Sequence, residues 1–65
     1  MNSLLTKQQE KLRGKKVSDM TILEITAWIE ACDKMENWVK GNKARRSWTQ
    51  SRHEAENELI KREKK

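Results

Sequence analysis

A chain of 65 residues makes one domain at most and buries a smaller share of its surface than larger domains do, so its margin of stability is expected to be small. Cys32 is the only cysteine, which excludes an internal disulfide, and with a single histidine it cannot supply the four ligands of a structural zinc; oligomerisation or a partner is the staple that remains. With 34% hydrophobic and 38% charged residues, a net charge of +5, no proline and two glycines, the composition stops short of a disordered chain and predicts an all-α fold.

Residues 1–17 form a basic segment, with Lys7, Lys11, Arg13, Lys15 and Lys16 against Glu10. Ser3 to Arg13 is weakly helical, with Leu4, Leu5 and Leu12 as its large apolar residues. It reads either as a short docking helix or as a basic arm that orders on binding, and Gly14-Lys15-Lys16 reads as a linker.

The second predicted helix starts after Thr21. Thr21-Ile22-Leu23-Glu24 is a capping box, in which the threonine oxygen and the glutamate each take an orphan backbone N–H, and Met20 and Ile25 form a hydrophobic staple around it. The helix is expected to run over 21–40, with Lys40 at its negative end and Gly41 as a left-handed C-terminal cap. Ile25, Trp28, Cys32, Met35 and Val39 recur at the spacing of a seam that packs along another helix. Ile22 and Ile29 widen the seam on one side and Ala31 and Trp38 on the other, so the apolar arc calls for two neighbours. Ile25, Trp28, Ile29, Cys32, Met35, Trp38 and Val39 are accordingly the candidate protein-interface residues. Cys32 reads as a small buried hydrophobe rather than a reactive thiol.

Asn42 is a candidate cap for a third helix over 43–62, with the stripe Ala44, Trp48, Ser51, Ala55 and Leu59. Extending the earlier seam past Val39 would place Asn42, Arg46 and Thr49 on it, so a turn is expected at Gly41-Asn42 and the architecture is a small antiparallel helical hairpin. A single bent helix is the alternative. The three tryptophans are ten residues apart, which is not a whole number of helical turns, and the spacing is read as coincidence.

Chemistry-bearing clusters are sparse. Ser51, His53 and Glu54 lie close in sequence, but residues two apart on a helix do not face one another and no glycine-rich elbow presents the serine, so catalysis is not expected. His53-Glu54-Ala55-Glu56-Asn57 lacks the second histidine of a zinc-protease helix. No cofactor, metal or small-molecule substrate is expected.

The strongest functional signal is the run from Lys40 to Arg52, which holds five bases and no acid, interleaved with Ser47, Thr49 and Gln50. These residue types contact phosphates and base edges, and Lys40, Lys43, Arg45, Arg46, Gln50 and Arg52 are the candidate nucleic-acid-binding residues. Lys43, Arg46, Gln50 and His53 are predicted to share the outward face, with Arg45 and Arg52 flanking the packed one. The plainer reading is a solvated basic face that balances an acidic second helix. A helix-turn-helix does not fit, because the helix before the turn is too long and Asn37 stands where a small apolar side chain supports the sharp bend.

The chain is therefore expected to be a non-catalytic binding protein that associates with nucleic acid through its basic helix and self-associates or docks through its apolar face. The alternative is a regulator or inhibitor that lays that face on a larger protein or assembly. No stretch approaches the roughly 20 apolar residues that span a bilayer, membrane association is not expected, and a lone thiol agrees with the reducing cytoplasm.

Overall fold

The computed structural model describes residues 5–64 and contains α1 (Lys7–Lys11), a 3-10 turn (Val17–Asp19), α2 (Ile22–Trp38) and α3 (Asn42–Glu63). The fold is all-α, with no strand among the described residues: α2 and α3 pack together as an antiparallel hairpin, and the N-terminal segment lies against it. Ser3 and Leu4, at the expected start of the first helix, lie outside the described residues.

α1 is short and held at its start. Thr6 Oγ1 accepts the Gln9 N–H at 3.1 Å and Gln9 Oε1 accepts the Thr6 N–H at 3.0 Å, a second capping box that fixes the first turn. Gln9 is 5% exposed and fully bonded: its Nε2 donates to the Ala27 carbonyl at 3.2 Å, and Lys34 Nζ donates to its Oε1 at 3.4 Å. A buried amide with its groups satisfied fixes orientation without the penalty of an unpaired one.

α2 begins as its sequence predicts, with Thr21 Oγ1 accepting from Glu24 N and Glu24 Oε1 accepting from Thr21 N. Its buried face and the N-terminal segment supply most of the core, which joins Leu5, Leu12, Met20, Ile25, Trp28, Ala31 and Cys32 to Ala55 of α3. Ala31, Cys32 and Ala55 have no exposed surface, and such small residues let helices approach closely. The two neighbours that the apolar arc calls for are α3 and the N-terminal segment of the same chain.

α3 has few large apolar residues, and its flanks are laced by pairs four residues apart, Arg52 with Glu56 at 3.1 Å and Arg62 with Glu58 at 3.0 Å. Arg62 also reaches back to the 3-10 turn, donating to the carbonyls of Met20, Val17 and Ser18.

The turn differs from expectation. α2 ends at Trp38 rather than Lys40, and Val39 is already extended (φ −74°, ψ 143°). Gly41 is no left-handed C-terminal cap: it precedes α3 with φ −80° and ψ 135°, and Asn42 is the first helical residue rather than the cap. Extended residues between the helices reverse the chain without any positive φ, and Arg45 Nη2 donates to the Val39 carbonyl at 3.1 Å. Three other residues leave their expected stripes, the first being Ile22 of the widened α2 arc, which is 53% exposed. Ala44 is exposed, and Trp38 is 62% exposed, one turn beyond Lys34, the last α2 residue that Gln9 reaches.

Candidate nucleic-acid interface

The packing direction of α3 follows from Trp48, Ala55 and Leu59, which turn toward the core. The opposite side carries Lys43, Arg46, Gln50, His53, Asn57 and Lys61, spaced by three or four residues within an arc of roughly 80° at 100° per residue. All six are exposed, and none makes a hydrogen bond or ion pair within the described structure. From Lys43 to Lys61 the stripe is about 27 Å long at 1.5 Å per residue. The α3 acids Glu54, Glu56, Glu58 and Glu63 all fall outside this arc by the same periodicity.

The six sequence candidates separate accordingly. Lys43, Arg46 and Gln50 lie on the outer stripe, and Lys40 is exposed in the turn beside it. Arg45 is exposed but bonded to the Val39 carbonyl. Arg52 is half-buried on the flank, where Nε and Nη2 hold the Glu36 carboxylate at 2.5 and 3.4 Å and Nη1 holds Glu56. Thr49 Oγ1 donates to the same Glu36 carboxylate. The hydrogen bonds from Arg52, then Thr49, hold the Glu36 carboxyl below its ordinary value. Arg52 is thus engaged in the hairpin, with a carboxylate partner on each helix.

His53 shares the outer face with Lys43, Arg46 and Gln50, as the periodicity predicts, and the same spacing continues to Asn57 and Lys61 beyond the acid-free run. The N-terminal end of α3 concentrates positive charge further: its first turn holds no acid, and Gly41 gives it no side-chain cap. Cations there oppose the helix dipole, whereas a phosphate would be favoured.

The first basic segment meets α3 across the core. The guanidinium carbon of Arg13 stands 5.7 Å from the centre of the Trp48 ring, and that ring is 5.8 Å from Trp28 at an interplanar angle of 52°. The contact joins two basic blocks that are far apart in sequence, and nothing in the spacing of residues 13 and 48 signals it. Beside it, a cleft of about 560 Å³ opens between residues 13–18 and α3, with Trp28 at its base.

Of the candidate protein-interface residues, Ile25, Trp28 and Cys32 are buried in the chain's own core, Ile29, Met35 and Val39 are half-buried, and Trp38 alone is exposed. Burial pushes the Cys32 thiol up to about 12. Among the described residues no group of three or more His, Cys, Asp or Glu side chains is placed to hold a metal ion, and no helix is long and apolar enough to cross a membrane. No family model matches the chain, and neither a curated protein nor a solved structure matches it.

Proposed function

We propose that this chain is a non-catalytic nucleic-acid-binding protein of the cytoplasm that grips the phosphate backbone through the outer face of α3. The observation that carries the reading is the acid-free stripe of Lys43, Arg46, Gln50, His53, Asn57 and Lys61, exposed and without side-chain hydrogen bonds or ion pairs over most of a helix. Lysine and arginine neutralise phosphates, while glutamine and asparagine hydrogen-bond sugars, phosphates and base edges. The uncapped, cationic start of α3 adds a second favourable locus for phosphate.

Fluorescence-anisotropy titration of a labelled duplex and a labelled single strand at roughly 50 and 200 mM salt tests the reading. Binding is expected at the lower salt and is expected to weaken steeply at the higher one. The paired change Lys43→Gln with Arg46→Gln should lower the slope of log affinity against log salt by about two units for a duplex, near 0.9 for each phosphate no longer neutralised. No binding at the lower salt, or an unchanged slope in the variant, would overturn it.

Trp38 supports a second reading. A tryptophan 62% exposed on an otherwise polar flank is the type of anchor that dominates protein interfaces, and it suits a regulator that docks on a larger protein. Partner capture that survives high salt but is lost in Trp38→Ala would favour that reading.

A further inference from the structure

The cleft between residues 13–18 and α3 has two chemically different walls. Arg13, Lys15 and Lys16 bring positive charge from the N-terminal segment. Ser51, Glu54 and Asn57 face it from α3 at three-residue spacing, and Lys61 closes the row. Two of the lining charges are already paired, since Lys15 pairs with Glu24 at 3.1 Å and Glu58, which also lines the cleft, pairs with Arg62 at 3.0 Å. Glu54 is different: it is exposed and makes no hydrogen bond or ion pair.

An open carboxylate among cations suits a featureless polyanion poorly, because it repels phosphate wherever phosphate approaches. It suits a ligand that carries a phosphate and an N–H donor together. We infer that the cleft takes one unstacked nucleotide of a single strand, with the phosphate held by Arg13, Lys16 and Lys61 and an amino-bearing base edge hydrogen-bonded by Glu54, Ser51 and Asn57. This rests on the nucleic-acid reading above and narrows it to single-stranded ligands.

Three features support the assignment. The cleft volume of about 560 Å³ lies within the usual range of small-molecule sites. The Arg13 guanidinium, its carbon 5.7 Å from the centre of the Trp48 ring, lines the cleft, where it can hold a phosphate. Asn57 and Lys61 belong both to the outer stripe and to the cleft, so a strand lying on the stripe reaches the cleft without a break. A base inside a duplex cannot present its pairing edge to Glu54, whereas a single strand can.

Base preference distinguishes this inference from simple phosphate binding. Cytosine offers an amino group to a carboxylate, whereas thymine offers one imino N–H between two carbonyl oxygens that repel it. Titration of labelled oligodeoxycytidine and oligodeoxythymidine of equal length at low salt should show the cytidine strand bound about tenfold tighter. Glu54→Ala should weaken cytidine binding and leave thymidine binding equal or stronger. Loss of a negative charge would by itself strengthen both, so the expected sign is opposite to the electrostatic one. Circular dichroism should show the variant folded, since Glu54 has no partner to lose. Equal, salt-sensitive binding of both strands, or a Glu54→Ala change that strengthens both alike, would overturn the inference and leave phosphate binding standing. Absence of binding to either strand would overturn both.

Discussion

Arg52 grips Glu36 with two nitrogens across the α2–α3 interface, Nε at 2.5 Å and Nη2 at 3.4 Å, and Thr49 donates to the same carboxylate. The Glu36 carboxyl is therefore easier to ionise in the folded chain than at its ordinary value of 4.5. Glu24 is shifted the same way, first by the backbone N–H of Thr21 and then by Lys15. A depressed carboxyl stabilises the fold above its unfolded value, and the contribution is lost as pH falls through the folded one. The melting temperature should be steady from about pH 5 to about pH 9 and decline below that window, and Glu36→Gln should flatten the acid decline. Parallel acid limbs for the two proteins in thermal melts would refute the assignment.

Cys32 sets the opposite limb. Burial raises its thiol from 9.0 to about 12, with the Glu36 charge adding to the shift. The neutral thiol stabilises the fold fully below the unfolded value, and the contribution is lost as pH rises from 9 toward 12. Native protein should react with a thiol-specific disulfide reagent only at the rate at which it opens, and Cys32→Ser should cost about 1–3 kcal/mol by burying a hydroxyl. Prompt labelling under native conditions would contradict the burial.

How much of this is legible in the sequence depends on whether the signal is local. The Thr21–Glu24 capping box and the seam from Ile25 to Met35 specify α2 by contacts within a few residues, and both are present, whereas Val39 at the end of the predicted seam is already outside the helix. The Thr6–Gln9 capping box is equally readable as a Thr-x-x-Gln spacing, but leucine content alone suggests only weak helicity there. The turn comes at residues 39–41 rather than at Gly41-Asn42, because extended residues reverse the chain where a left-handed glycine is expected. Within the candidate site, the outward stripe of α3 follows from helical period. The pairing of Arg52 with Glu36 and the seating of Arg13 on Trp48 depend on tertiary packing, which no spacing encodes. The even tryptophan spacing misleads in both directions, since Trp28 and Trp48 meet across the hairpin and Trp38 turns away.

Trp38 should dominate the solvent-accessible fluorescence. It is 62% exposed, whereas Trp28 is buried and Trp48 half-buried. Trp38→Phe should remove most of the acrylamide-quenchable emission and change stability by less than about 0.5 kcal/mol. Quenching that persists in the variant would place a second indole in solvent.

Gly41 is a site for stabilisation. Its φ is −80°, and a Cβ added there would meet nothing within 4 Å. Gly41→Ser should cap α3 and reduce the freedom of the unfolded chain, raising stability by about 0.5–1 kcal/mol in denaturant melts. A loss of stability would mean that the turn depends on glycine after all.

Arg62 should hold the N-terminal segment in place. Arg62→Lys keeps the charge but cannot reach three carbonyls at once, so amide exchange over residues 17–20 should quicken while the centre of α2 stays protected. Unchanged exchange there would assign the turn's order to Met20 and Val17 packing instead.

The acid-free stripe of α3 occupies one side of the hairpin, while Asp33 and Glu36 of α2 line a groove with Arg45 and Arg52 on its flank. Gathering unpaired cations along one helix face makes the field of this small cation uneven as well as positive. In the field of a highly charged polymer the molecule would be turned before it arrived, with α3 leading. A larger share of collisions would then begin in one orientation, an advantage in capture rate that requires no additional bond once the complex has formed.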